Sequence, residues 1–463
     1  MASNVAASAF AGMQDIPGIP AAPSSSARRG RPGCAFLIQR KLLISSAMIG
    51  CMAWSMSGIA LAQDAPIELL DPTTTLAQAT IPPIGPPTGP QAPAAPPPVP
   101  AATTVTLPAP GMAGPLTLNP SPFSIDLGPA GRTYVSGVVS GLGLAQTNAT
   151  PPDHAGRLDV SNAQIILQKT DGLVQYYVQV GAYTLPILGT SFTPSSQALS
   201  DFFSPVPLAY VKLAPTANFS IEAGKLPTLI GAEYTFTFEN MNIERGLLWN
   251  QEPAVSRGVQ VNGTIGPVAL ALSFNDGYYS DRFNWLSGSA VWTINPANTL
   301  TFAAGGNFGR TGFSSFAAPL PQDNGSIYNI IYTYASGPWT ITPYLQADYV
   351  PRDTSIGIVH SAASFGGAVL ANYAFNANDS LAGRVEYLAT TGSLSDGAPN
   401  LLYGPGSKAL SFTLTPTYQY KRFFARLEFS YVKAFDTTPG DALGPSFAAA
   451  SQVRGLVETG FLF

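Results

Sequence analysis

The sequence predicts an all-β protein, a transmembrane antiparallel up-and-down β-barrel of about 16 strands, with 14 and 18 strands also open. Two observations predict this fold. From about residue 130 onward, apolar and polar residues alternate in segments of roughly ten residues, which is typical of strands that face two different environments. The connections between these segments alternate between short and long, which is the layout of barrels that cross a membrane.

The composition disfavours an ordinary soluble protein and, for the mature part after residue 62, excludes a helical membrane protein. Only 10% of the residues are charged, whereas soluble domains have roughly 25%. Mean hydropathy is +0.17, and after residue 62 no apolar run is long enough to cross a bilayer as a helix.

The first 62 residues predict a secretory signal peptide with an extended N-terminal region. Arg40 and Lys41 precede an apolar stretch that ends in Ala60-Leu61-Ala62, which is the charged, apolar and small-residue order of such signals. We expect cleavage after Ala62; an uncleaved anchor helix is the alternative. Cleavage removes both cysteines, five basic residues and one acidic residue, so the net charge of −4 becomes −8. We therefore expect no disulfide bond and no nucleic-acid partner.

Residues 63–122 predict a disordered periplasmic spacer. They are rich in Pro, Ala and Thr, a composition that cannot bury a core and favours extended chain. We expect the barrel, residues 123–463, to assemble without residues 70–115. Tethering to the cell wall and plugging of the pore are alternative roles for the spacer, but neither has a sequence motif.

Sixteen strands follow from the alternation. Their expected first residues are 132, 158, 173, 207, 217, 255, 267, 283, 298, 325, 338, 362, 379, 408, 422 and 451. In residues 408–421, for example, Leu410, Phe412 and Leu414 alternate with Ser411 and Thr413. One face of each strand is therefore expected to contact lipid and the other to face water.

Connection lengths distinguish a membrane barrel from a soluble sandwich or propeller, in whose strands apolar and polar residues also alternate. After each even-numbered strand of this series the connection is a tight turn, such as Ile265-Gly266-Pro267 or Ser336-Gly337-Pro338. After most odd-numbered strands it is longer, and the longest connection runs from about Leu226 to Ala254. An even strand count with both ends on the short-turn side is the layout of outer-membrane barrels. Aromatic residues near strand ends fit the interfacial girdles of such barrels: Tyr349, Tyr387, Tyr418, Tyr420 and Phe435.

The last strand and one internal region carry family resemblances. The chain ends in Phe461-Leu462-Phe463, which resembles the closing strand that outer-membrane proteins present to the barrel-assembly machinery. Ala223-Gly224-Lys225, the segment from Ile230 to Tyr234, and Arg257-Gly258-Val259 resemble the putative β-barrel porin-2, OmpL-like, family. The resemblance covers roughly residues 130–463 and implies a porin in the outer membrane of a Gram-negative bacterium.

The polar face of the strands predicts the wall of a water-filled lumen, because a barrel of about sixteen strands leaves an aqueous channel. The expected wall charges are Glu222, Arg257, Asp348, Arg384, Glu386, Arg426, Glu428, Arg454 and Glu458. Ion pairing within the wall without a selective role is the alternative for each of them.

The long connection 226–254 is the third on its side of the barrel. In general porins, which this chain resembles in strand count, the third loop folds inward and narrows the pore. The resemblance implies an acidic constriction here, formed by Glu233, Glu239, Asn240, Asn242, Glu244, Arg245 and Glu252. A surface loop with a β-hairpin is the alternative, because Tyr234 to Phe238 also alternates. Four glutamates against Arg245 predict a weak preference for cations.

Enzymatic chemistry has little support. His154 and His360 are the only histidines, and no phosphate-binding, dinucleotide or metal motif is present. We expect no enzyme, no cofactor and no metal. The expected partners are outer-membrane lipid and lipopolysaccharide, the assembly machinery and small hydrophilic solutes, and a homotrimer is open. The sequence thus predicts a porin for passive diffusion of small solutes and ions, or alternatively a barrel that binds surfaces through its exposed loops.

Overall fold

The computed structural model describes residues 107–463. The expected signal cleavage at Ala60 and Ala62 and most of the expected spacer lie outside the described residues. The described part contains 17 strands in one sheet. These are β1 (Phe123–Asp126), β2 (Arg132–Gln146), β3 (Gly156–Lys169), β4 (Val174–Tyr183), β5 (Leu208–Thr216), β6 (Phe219–Pro227), β7 (Val255–Ile265), β8 (Val268–Asn275), β9 (Trp285–Asn295), β10 (Asn298–Asn307), β11 (Ser326–Ser336), β12 (Trp339–Val350), β13 (Ala362–Ala374), β14 (Asp379–Thr390), β15 (Lys408–Tyr420), β16 (Phe423–Phe435) and β17 (Ser451–Leu462).

Strands β2 to β17 form the expected closed barrel of 16 strands. Each strand pairs antiparallel with the next, and β17 pairs with β2 from Arg454↔Gln146 to Leu462↔Val138. Closure leaves no strand edge among these sixteen, so every strand has a hydrogen-bonding neighbour on both sides. The short β1 pairs with the beginning of β2, where it continues the line of β17.

Helical segments in the described part are short and lie in connections. They are Gly128–Ala130, Ser195–Gln197, Ala198–Phe202, Thr237–Glu239, Trp249–Gln251, Leu320–Asp323, Thr354–Ile356 and Leu394–Asp396. Within residues 107–463 no helix has the length and apolar character needed to cross a membrane.

The predicted strand positions are confirmed, and each observed first residue lies within two positions of the expected one. The sorting of connections is confirmed as well. Turns after β5, β7, β9, β11 and β15 each leave two residues between strands, while the connections on the other side are long. Gly266 and Gly337 have φ values of 56° and 57° in such turns, a conformation that glycine adopts without steric cost.

The two faces of each strand differ in exposure as the alternation predicted. In β15, Leu410 and Phe412 face outward and are 44% and 39% exposed, whereas Ser411 and Thr413 face the lumen and are buried. The aromatic residues expected in the interfacial girdles are all exposed on the outer face. The outer surface is therefore apolar and the inner wall mainly polar, as a barrel in lipid requires.

Candidate functional site

The inner wall carries its densest charge on one arc, formed by β14, β16 and β17. Period-two spacing brings charges of opposite sign to the same face of each strand. The pairs along the strands are Arg384 with Glu386, Arg426 with Glu428, and Arg454 with Glu458. All six side chains are buried, so something other than water covers this arc.

The cover is the third long connection, residues 228–254, which we call loop 3. Its carboxylates reach the wall arginines directly: Glu233 lies 2.6 Å from Arg384, and Glu244 lies 2.6 Å from Arg454. Arg384 also donates a hydrogen bond to the backbone carbonyl of Glu244, at 2.7 Å. Because these contacts join a connecting loop to the inward face of the strands, loop 3 lies inside the barrel.

Wall charges also satisfy the backbone of loop 3, which has little regular structure of its own. Glu428 accepts hydrogen bonds from the amides of Ile243 and Glu244, and Glu386 accepts from Leu247 at 3.0 Å. Arg426 donates to the carbonyls of Thr237, Asn240 and Met241, at 2.9 to 3.0 Å. Buried backbone groups without partners would be costly, so the charged arc stabilises this particular path of the loop.

Side chains of loop 3 fix its turns. The Asn240 amide group donates to the carbonyls of Tyr234 and Phe236, and its oxygen accepts from the Tyr234 amide. Glu239 accepts from the Phe236 amide at 3.0 Å. Thr237 donates to Glu458 at 2.6 Å. The residues from Tyr234 to Phe238 therefore form a compact turn, and the alternative of a β-hairpin is wrong.

Arg245, Asn242 and Glu252 complete the residues expected in the constriction. Arg245 has its guanidinium 5.2 Å from the ring of Trp249, and no described protein atom accepts a hydrogen bond from that guanidinium. Its backbone pairs with the second long connection, at Pro186 and Leu188. Asn242 donates to Thr415 of β15 at 2.7 Å. Glu252 is buried, and its carboxylate has no hydrogen-bond donor among the described protein atoms.

The opposite side of loop 3 is aromatic. Phe236 packs edge-on against Tyr183 at the end of β4, with ring centroids 5.2 Å apart, and Phe238 stacks on Phe236. Both phenylalanines are fully buried. Loop 3 is thus held by ion pairs on one side and by aromatic packing on the other.

The wall from β5 to β10 carries fewer charges. Lys212 pairs with Glu222 at 3.3 Å, and their side chains remain 34% and 12% exposed. Arg257, which was expected in the lumen wall, does not face the lumen: it lies on the outer face of β7 with Val259 and Val261, and it pairs with Asp276 of the following connection at 2.8 Å. The inner face of β8 and β9 includes small residues that are exposed or partly exposed, among them Ala269, Ala271 and Ser289. This arc is the one that loop 3 leaves most accessible.

One further residue of the expected lumen wall and the two residues of the expected assembly signal have their hydrogen-bond or packing partners outside loop 3. Asp348, in β12, accepts a hydrogen bond from Ser364 at 2.6 Å and does not contact loop 3 through an ion pair. Phe461 faces outward and packs against Phe423. Phe463 pairs through its backbone with Gly137 at the beginning of the seam.

Sequence reasoning missed an apolar patch on the inner wall and the segment that covers it. Val138, Ile166, Phe424 and Leu462 face the lumen near the short-turn end, and all are buried. They cluster with Leu116, which lies in the expected spacer. The sequence contained one indication of this patch: Phe424 is apolar, although the same face of β16 continues with the polar residues Arg426, Glu428 and Ser430.

A family model agrees with this architecture, and several solved structures are similar to the chain. A family model described as putative beta-barrel porin-2, OmpL-like, matches residues 132–463, which include all sixteen barrel strands. No curated protein matches the chain. Similar solved structures include OmpT of Vibrio cholerae, with 10% identity, a TM-score of 0.49, and coverage of 74% of this chain and 100% of that one. An anion-selective porin from Comamonas acidovorans has 11% identity and a TM-score of 0.48, with coverage of 72% and 99%. The outer membrane channel DcaP of Acinetobacter baumannii has 10% identity and a TM-score of 0.48, with coverage of 72% and 97%.

Proposed function

Because the chain belongs to the putative beta-barrel porin-2, OmpL-like, family, we propose that it is a porin through which small hydrophilic solutes and ions diffuse passively across the outer membrane of a Gram-negative bacterium. The closed barrel and the family support a channel role. The polar inner wall supports an aqueous path, since a ring of sixteen strands is wide enough to enclose one.

Loop 3 is proposed as the constriction of this channel. The observation that carries the proposal is that its carboxylates Glu233 and Glu244 each pair with a buried wall arginine at 2.6 Å. A loop anchored in this way occupies part of the lumen cross-section at all times. We propose that solutes pass along the arc from β5 to β10, because that arc carries small side chains and fewer charges.

The in-vitro folded OmpT of Vibrio cholerae has been described in a trimer form, and we propose that a homotrimer is the oligomeric state to test first here. Outer-membrane lipid, lipopolysaccharide and the barrel-assembly machinery remain the expected partners.

Channel recording tests the proposed function. The complete chain, purified from membranes, is added to a planar lipid bilayer, and folding is verified by its heat-modifiable migration. We expect stable conductance steps, together with swelling of liposomes in solutions of small sugars and amino acids. Folded protein that gives no steps and no swelling would contradict a porin and favour the alternative, a barrel that binds surfaces through its loops.

A further inference from the structure

The segment that precedes the barrel enters the lumen. We call residues 107–119 the N-terminal strap. Its ends are fixed at the short-turn side of the wall. The Gln168 side chain of β3 donates to the Ala109 carbonyl at 2.6 Å, and the Gln419 side chain of β15 exchanges two hydrogen bonds of 2.8 Å with the backbone of Thr117.

The middle of the N-terminal strap reaches loop 3. The amides of Ala113 and Gly114 both donate to the carbonyl of Glu239, at 2.8 and 3.1 Å. Contact is so close that a Cβ atom on Gly114 would lie 2.2 Å from the carbonyl oxygen of Asn240. The strap therefore extends from the short-turn end of the barrel to the loop that we propose as the constriction.

The inner wall is built to receive the strap. Leu116 is only 1% exposed and packs in the cluster that contains Val138, Ile166, Phe424 and Leu462 of the wall. Apolar residues facing a water-filled lumen are unfavourable unless something covers them. Four strands carry this patch, so the wall and the strap are complementary over an extended area.

We propose that the N-terminal strap is a second size-limiting element of the channel, in series with loop 3. This inference rests on the proposed function, because it assigns the strap a role in permeation. The strap occupies lumen space below loop 3 and leaves a chamber of about 560 Å³ beside β13 to β15, lined in part by Thr117, Asn372, Gln419 and Arg422. A solute that has passed loop 3 along the arc from β5 to β10 then crosses a lumen that the strap narrows from the side of β15 to β17, β2 and β3.

Deletion of residues 107–119 from the complete chain is the first test. The barrel should still assemble, since all sixteen strands remain. We expect single-channel conductance to rise by about twofold, because the strap leaves the lumen while the sixteen strands keep the barrel width unchanged. Larger solutes should then also enter liposomes. An unchanged conductance and size limit in a folded barrel would overturn the proposal.

A substitution tests the same contact without shortening the chain. Gly114→Val places a side chain against Asn240 and should displace the strap from loop 3, which raises conductance or its noise. Gly263→Val is the matched control, because no atom lies within 4 Å of a Cβ at that position. Equal behaviour of the two variants would count against the contact.

Cysteine labelling tests the position of the strap independently of conductance. In a chain with Cys34→Ser and Cys51→Ser, Leu116→Cys and Thr117→Cys are compared with a water-soluble maleimide. Leu116 is buried and Thr117 is exposed, so only the second variant should react quickly. Equal labelling would overturn the proposal. Conductance in the deletion variant but none in the undeleted protein would overturn the size-limiting role, because the strap would then close the channel. If neither conducts, the proposed function fails, while the labelling still decides where the strap lies.

Discussion

At the scale of single residues, three buried arginines of the inner wall hold loop 3 in place. Arg384, Arg426 and Arg454 are each 1% exposed. Burial of a guanidinium is unfavourable unless its charge and its donors are matched, and here loop 3 and neighbouring glutamates provide the match. Wall and loop therefore stabilise each other, and neither arrangement is expected without the other.

Substitution of Arg384 should loosen loop 3. Arg384→Met keeps most of the side-chain volume but leaves the buried Glu233 and Glu386 without the arginine that both of them pair with. Loss of one partner from a buried pair costs about 3–5 kcal/mol, so we expect noisy conductance with several sub-levels. Lys408→Met is the control, because the Lys408–Asp436 pair is exposed and contributes roughly 0–1 kcal/mol. A quiet trace from Arg384→Met would contradict the anchoring role.

The partners within the lumen could be predicted from the sequence only in part. The alternation of apolar and polar positions along the strands was enough to assign Arg384, Arg426 and Arg454 to the inner face. It could not pair Glu244 with Arg454, because the path of loop 3 depends on hydrogen bonds such as those of Asn240 with Tyr234 and Phe236. Such contacts have no sequence period.

At the scale of elements, the strands were predictable and the N-terminal strap was not. Strands follow from local information, since period two and turn residues such as Gly266 recur at each hairpin. The strap has no alternation and no helical period. Its contacts depend on a wall patch assembled from β2, β3, β16 and β17, whose members lie far apart in the sequence.

The last residue is predicted to matter for assembly. The amide of Phe463 donates to Gly137 and its carbonyl accepts from Gly137, both at 2.9 Å, and its ring lies over that glycine. Deletion of Phe463 removes the last backbone pair of the seam, so the folded fraction in membranes should fall. The folded and unfolded bands on a gel measure it, and Phe463→Tyr should restore most of the loss. An equal folded yield after deletion would contradict this role.

At the scale of the whole molecule, ion selectivity should be weak. The loop glutamates from which a preference for cations was expected are buried, and Glu233 and Glu244 pair with arginines. Their charge is therefore largely balanced where ions pass. The partly exposed Lys212–Glu222 pair lies on the accessible arc, and a channel wall of low net charge discriminates little between ions.

The zero-current potential across a salt gradient measures this selectivity. We expect a small preference for cations in the complete chain and a shift toward anions in Glu222→Gln, because Lys212 then loses its counter-charge. Asp436→Asn makes the same change of charge in an exposed loop residue at the opposite end of the barrel from the short turns, and should have little effect. An unchanged potential in Glu222→Gln would mean that ions do not pass along this arc.

The seam between β17 and β2 also determines when the protein can become a barrel. Arg454 and Gln146, which hydrogen-bond across it, are 308 positions apart in the sequence. Closing so long a chain segment has a high entropic cost, and contacts of such separation form slowly. Hairpins can form early, but the ring cannot close before the final strand arrives, so an unclosed sheet with two free edges must exist for a time during biogenesis. Protection of those edges from pairing with other chains is then a kinetic requirement of this fold.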